Sequence, residues 1–158
     1  MSEAKEEYLR RCEDDLAFFC KNEVWIRPKY KVPGGLVTLN LNRGQRILND
    51  TVNRLDEEQR AVWLLVLKHR QWGSSTFFQG MTMHRCRFVP YTEALVIADR
   101  ERTTRKLMGM NRRMWEKFSP AIKENWNRTV ERTDSQYEWD NGSVLQIDTA
   151  GQSQAARG

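Results

Sequence analysis

The sequence is poor in the residues that build metal centres and disulfide frameworks. It has 2 histidines and 3 cysteines, and Cys12, Cys20 and Cys86 show no C-x-x-C spacing. An odd number of cysteines cannot pair completely, so we expect reduced core thiols and no metal-binding cluster. No apolar run is long enough to cross a bilayer, and the acidic N-terminus lacks the pattern of a signal peptide. These absences favour a soluble, intracellular protein without a membrane partner.

The residues that are present suffice for one folded domain. At 158 residues, with 39% hydrophobic residues, 6 Trp and 6 Phe, the chain is too apolar for wholesale disorder. The net charge is +5, and residues 99–132 alone carry 10 basic and 5 acidic groups, which equals the whole excess. Such clustering is typical of a protein with a polyanionic partner, although basic helix faces are often only solvated.

Hydrophobic periodicity divides the chain into alternating helices and strands. Helices are predicted over residues 3–21, over 43–55 with Asn42 as the N-cap, and over 100–118, the basic segment. Extended segments are predicted over 24–26, 36–41, 94–98 and 128–131. We interpret Asp99 as the cap of the basic helix, and the Asn141-Gly142 dipeptide predicts a hairpin.

One stretch, residues 68–76, has the composition of a phosphate-binding loop. Residues 62–67 before it form a continuous apolar run, which predicts a buried parallel strand. A helix after it is predicted by apolar side chains at three- and four-residue spacing: Phe77, Met81, His84 and Phe88. A glycine loop between a strand and a helix brings the unpaired N–H groups of the helix to a phosphate.

The loop departs from the usual pattern G-x-x-x-x-G-K-[ST] at two of the four positions. Lys68 stands at the first glycine and Ser74 at the lysine, while Gly73 and Ser75 match the second glycine and the hydroxyl. A loop without its lysine needs another cation near the β- and γ-phosphates, and Arg70 or Lys68 is close enough in sequence. The plain alternative is a strand-to-helix turn that binds no ligand.

The order K-x-R-Q-x-G-x-S-T after an apolar run resembles the deviant phosphate loop of the terminase large subunit, the ATPase that packages DNA in tailed phages. Residues 18–26, 39–45, 94–98, 149–151 and 157–158 share this resemblance. It implies an α/β fold of the P-loop NTPase type, a mostly parallel sheet flanked by helices. Residues 1–42 would form an accessory helix and extended segment, and residues 43–158 a partial ATPase core.

The resemblance also implies a role for single residues. Arg70 would be the catalytic cation at the phosphates, Gln45 would read the adenine edge, and Ser75 would bind Mg²⁺. The ATP site as a whole would consist of Gln45, Lys68, Arg70, Gln71, Trp72, Gly73, Ser74, Ser75 and Thr76. The partners would be double-stranded DNA, the portal and the small subunit, in a ring homo-oligomer in the host cytoplasm.

The carboxylates of the family's ATPase are missing from the sequence. In the family, an Arg-Gly resembling residues 157–158 leads into a strand ending in Asp-Glu, which binds magnesium and orients water. Residues 94–99 and 144–148 end in Asp without that Glu, and Arg100 follows Asp99. We therefore expect the Walker B strand and the nuclease domain to be absent, nucleotide binding with little turnover, and an unpaired sheet edge.

Two other interpretations stay open. The chain could be a non-hydrolysing DNA-binding or regulatory fragment that uses the basic helix, with salt-dependent binding that ATP does not alter. It could also be a fragment of a helicase-like ATPase from another lineage, which would ordinarily keep the G-K-T lysine.

Overall fold

The computed structural model describes residues 3–28, 30, 32–69, 71–124, 126–132 and 135–151. The chain is mixed α/β, as expected. The helices are α1 (Glu3–Asp14), α2 (Leu16–Glu23), α3 (Arg43–Glu57), α4 (Ser74–Phe88), α5 (Glu101–Lys117) and α6 (Pro120–Lys123). The strands are β1 (Trp25–Ile26), β2 (Val37–Thr38), β3 (Glu93–Ala98), β4 (Arg128–Arg132), β5 (Gln136–Trp139) and β6 (Val144–Thr149). None of the described helices has the length and apolar character that a membrane span requires.

The single helix predicted over residues 3–21 is two helices. Asp15 is extended (φ −131°, ψ 100°), and its carboxylate accepts hydrogen bonds from the N–H groups of Ala17 and Phe18 at 2.8 and 3.0 Å. A short acidic side chain competes with the helical backbone in this way, so it ends α1 and begins α2. β1 follows α2 and pairs antiparallel with β2.

The larger sheet has the strand order β3-β6-β5-β4. β3 and β6 are parallel, whereas β6 with β5 and β5 with β4 are antiparallel. The expectation of a mostly parallel sheet is therefore wrong for the described strands. Asn141 and Gly142 turn the chain straight back from β5 into β6, with Gly142 at φ +78°, and a tight hairpin of this kind joins antiparallel strands.

Helices cover one face of this sheet, and the core lies between them. Alternate side chains of β5 and β6 are at most 3% exposed: Tyr137, Trp139, Leu145 and Ile147. α5 contacts β6 and contributes Leu107, Met108 and Met114 to the same core. Burial of each large apolar side chain contributes about 1.5–3 kcal/mol relative to exposure.

The helices on both sides of the loop form where the sequence predicts them. α3 begins after Asn42, α4 contains all four residues of the predicted apolar face, and α5 lies within the predicted basic helix. Asp99 does not cap α5 as expected. Arg100 is the N-cap residue and makes no side-chain cap hydrogen bond, while the Asp99 carboxylate accepts a hydrogen bond from the Thr103 hydroxyl at 2.9 Å.

The strand predicted over residues 62–67 is wrong. Residues 61–69 form neither helix nor strand, and Trp63 is 90% exposed while Leu65 and Leu67 are fully exposed. The apolar run has no neighbouring strand among the described residues, so its backbone has no ladder to join. Among the described strands, β3 pairs with β6 alone and is one edge of the sheet, while β4 is the other.

Candidate functional site at the N-terminus of α4

The loop before α4 ends at a glycine with left-handed backbone geometry. Gly73 has φ +87° and ψ 15°, and Gln71 also has a positive φ of 69°. The Gly73 carbonyl accepts the first helical hydrogen bond, from the N–H of Phe77 at 3.0 Å, and no side chain caps the helix. The first amides of α4 carry a partial positive charge without a side-chain acceptor. Such an end can accept an anion.

Side chains at the start of α3 form hydrogen bonds with this loop. The Asn42 side-chain amide donates to the Trp72 carbonyl at 3.1 Å, and the Gln45 amide donates to the Gly73 carbonyl at 3.1 Å. Asn42 and Gln45 also form a capping box with each other, with bonds of 3.0 and 2.9 Å between each backbone N–H and the other's side-chain oxygen. The cap that begins α3 therefore fixes the carbonyls just ahead of α4.

Trp72 adds a steric contact to these hydrogen bonds. Its indole ring packs so closely on Gly44 that a Cβ at that position would lie 2.8 Å from the ring nitrogen. Gly73 is similarly close to α3, because a Cβ there would lie 3.0 Å from the Gln45 amide nitrogen. Glycine at both positions allows the helix and the loop to approach this closely.

α3 is also joined to α4 at its other end. Asp56 in its last turn pairs with Arg85 in the last turn of α4. The two helices are therefore connected at both ends, by an ion pair at one and by the loop contacts at the other.

The structure brings together most of the predicted ATP-site residues. Gln71 and Ser75 are exposed, Trp72, Gly73 and Thr76 are half-buried, and Ser74 is buried at 7% exposure. Lys68 lies in the exposed segment ahead of the loop. Arg70, the predicted catalytic cation, lies outside the described residues.

The side-chain amide of Gln45, which was predicted to read adenine, is hydrogen-bonded within the protein. It is 3% exposed, its carbonyl oxygen accepts from the N–H of Asn42, and its nitrogen donates to Gly73. Both ends of the amide are thus engaged, the oxygen in the capping box of α3 and the nitrogen in the contact with the loop. Its contact with adenine stays a prediction, and so does Mg²⁺ binding by Ser75.

Asp99 and Asp148, which end the two runs compared with the family's magnesium-binding strand, have protein partners of their own. Asp99 bonds to Thr103 and pairs with Arg100, and Asp148 accepts a 2.6 Å hydrogen bond from the amide of Gln146. Across the described ranges, no group of three or more His, Cys, Asp and Glu side chains is arranged to hold a metal ion.

A cavity of about 200 Å³ lies apart from the loop, between α3, α4 and the junction of α1 with α2. None of the predicted ATP-site residues lines it. Its lining includes Leu16, Asn49, Val52, Met81, His84 and Phe88. The loop site is a surface at a helix end, whereas this cavity is a gap between helices.

Sequence reasoning missed a buried polar contact between α4 and α5. The side-chain amide of Asn111 on α5 donates to the side-chain amide oxygen of Gln79 on α4 at 2.6 Å, and the two residues are 0% and 2% exposed. It also predicted Asn42 only as a cap, not as a brace of the loop. The sequence signal available was the capping box N-x-x-Q itself, which fixes the side chains of Asn42 and Gln45 at one end of α3.

A scan against models of protein families finds none that matches this chain, and no curated protein is similar to it at a significant level.

Proposed function

We propose that this chain is the ATP-binding part of a viral DNA-packaging ATPase of the terminase large-subunit type. The observation that carries the proposal is the uncapped N-terminus of α4, preceded by Gly73 in left-handed geometry and braced by α3. The K-x-R-Q-x-G-x-S-T order across this junction supports it further. The exposed, unpaired run of residues 62–67 is the feature that a P-loop fold does not account for.

The chemistry proposed for the loop is charge capture rather than bond cleavage. The first amides of α4 would bind phosphate oxygens, and Lys68 and Arg70 would neutralise the charge that the missing loop lysine normally meets. Ser75, exposed in the first turn, would ligate Mg²⁺. Phosphoryl transfer also needs a carboxylate that orients water, so turnover by this chain would be slight. In the whole protein, hydrolysis would drive double-stranded DNA into a capsid, in a ring bound to the portal and the small subunit.

A titration with ATP and Mg²⁺ tests the proposal directly. Nucleotide binding should be measurable by calorimetry, and Arg70→Ala should weaken it about tenfold or more, since one charge-assisted contact is worth about 1.5–3 kcal/mol. The matched control is Arg60→Ala, which removes an exposed arginine of the same connecting segment that pairs with Glu58. Unchanged affinity in Arg70→Ala would remove that residue from the site, and no binding by the unaltered chain would refute the proposal.

A DNA-binding or regulatory role is the second candidate, and the surface of α5 favours it. Its exposed side chains are mostly basic, with Arg102, Arg105, Lys106, Arg112 and Lys117 against Glu101 and Glu116. This role predicts binding to double-stranded DNA that weakens steeply with salt and does not respond to ATP. Lys106→Glu should weaken binding, whereas Lys21→Glu on α2 should not.

A further inference from the structure

The outer strand of the large sheet exposes apolar side chains on the face that the helices leave open. Leu95 and Ile97 on β3 are 51% and 58% exposed. Their neighbours across the sheet on that face are polar, since Leu95 lies opposite Gln146 and Ile97 opposite Asp148. The apolar character of the open face is therefore concentrated at the strand whose far edge is unpaired.

This edge lacks the usual protection against strand addition. No charged residue interrupts β3 between Glu93 and Asp99, and no described strand covers its outer side. Natural edge strands commonly carry a lysine, a proline or a bulge at such positions. β3 is thus a six-residue template whose outer backbone groups have no strand partner among the described residues.

The chain also carries a segment suited to that template. Residues 62–67, Val-Trp-Leu-Leu-Val-Leu, match β3 in length, are rich in strand-forming residues and lie exposed without a ladder. Within one folded chain, residues 62–67 do not pair with β3. Large exposed apolar groups of this kind usually mark an interaction surface.

The charges at the ends favour pairing of this segment with the edge over pairing of two edges. Lys68 directly follows the segment. If the segment is aligned end to end with β3, Lys68 would lie opposite Asp99 in a parallel pairing and next to Glu93 in an antiparallel pairing. Two copies of β3 paired antiparallel in the register centred on Val96 would instead bring Glu93 opposite Asp99, and like charges directly opposite are destabilising.

We propose that two copies of this chain form a dimer in which residues 62–67 of each copy add as a strand to the free edge of β3 in the other. A two-fold axis makes both contacts at once, so each copy uses both its segment and its β3 edge within the dimer. This inference does not depend on nucleotide binding.

Two complementary variants test the dimer by light scattering coupled to size-exclusion chromatography. Leu65→Glu/Leu67→Glu breaks the segment and keeps the edge, while Leu95→Glu/Ile97→Glu breaks the edge face and keeps the segment. All four side chains are at least half exposed, so folding should survive, as circular dichroism would verify. Ile47→Glu is the matched control, because Ile47 on α3 is 57% exposed and lies outside both features.

We expect the unaltered chain and Ile47→Glu to elute at twice the chain mass, and each double variant alone at the chain mass. An equimolar mixture of the two double variants should regain a dimer about tenfold weaker or more, since one of its two contacts remains. A monomeric or polydisperse unaltered chain would overturn the proposal. Dimerisation of either double variant alone, or failure of the mixture to associate, would overturn it as well.

Discussion

The indole ring of Trp72 lies against the α-carbon of Gly44, and there is no room between them for a methyl group. This contact joins the first turn of α3 to the loop that precedes α4. It acts together with the hydrogen bonds from Asn42 and Gln45, so three residues of one helical turn define the conformation of a loop about thirty residues further along the chain.

Replacement of Gly44 by alanine should destabilise the fold, although alanine is the better helix former. The added methyl would force the Trp72 ring away, at a cost of about 1–3 kcal/mol for an overpacked site. Gly109→Ala on α5 is the matched control, because nothing lies within 4 Å of a Cβ there, and it should raise the free energy of unfolding by up to about 1 kcal/mol. Urea denaturation measures both, and equal effects would show that the contact with Trp72 is unimportant.

Replacement of Gln45 by alanine should both destabilise α3 and loosen the loop. It removes half of the capping box and the bond to Gly73, and we expect a loss of about 1–3 kcal/mol in the free energy of unfolding. Hydrogen exchange at the Phe77 amide, which donates to the Gly73 carbonyl, should speed up in this variant more than in Asn53→Ala, which alters an exposed side chain of α3. Unchanged exchange would mean that the loop holds its geometry without the brace.

Stability should fall on acidification because of His84. Burial lowers the pKa of His84 to about 4, and its Nε2 lies 2.8 Å from the carbonyl oxygen of Cys12. The native state therefore favours the neutral imidazole over the charged form. The stability that depends on the neutral ring is fully present above pH 6.5 and is lost as the pH falls from 6.5 towards 4. The linked change is at most about 3 kcal/mol.

Urea titrations at a series of pH values check the role of His84. His84→Phe should remove this part of the pH dependence while keeping a ring beside Phe19, which His84 contacts at 5.2 Å between ring centroids. A His84→Phe variant that kept the full pH dependence would show that another group causes it.

The buried amides of Gln79 and Asn111 should show strong energetic coupling. Asn111→Leu alone leaves the Gln79 amide without its partner in a dry environment, which costs about 1–3 kcal/mol. Gln79→Met together with Asn111→Leu removes both polar groups, so the double variant should lose less stability than the sum of the two single variants. A double-mutant cycle in urea gives the coupling energy, and simple additivity would contradict a direct bond.

The elements that the sequence predicts correctly are those that residues close together in the chain specify. Asn42 and Gln45 mark the start of α3 by their spacing alone, and the Asn141-Gly142 turn specifies the β5–β6 hairpin. Asp15 shows the limit of this approach, since the apolar spacing continues through it while its side chain divides the helix.

What the sequence could not provide is the pairing of distant segments. Residues 62–67 have a strand-like composition, but a strand also needs a neighbour, and none of the described strands takes that place. The candidate site divides in the same way. Its glycine and hydroxyl residues follow from a local motif, whereas the brace on Trp72 and Gly73 comes from residues 30 and 28 positions earlier.

Because α3 is attached to α4 at both ends, the two helices should stay together without the peptide segment that connects them. Cleavage by trypsin after Arg60 or Lys68 should leave the two helices together, since the Asp56–Arg85 pair and the loop contacts lie outside the segment between these sites. The nicked protein should therefore migrate as one species under native conditions and as two fragments only after denaturation.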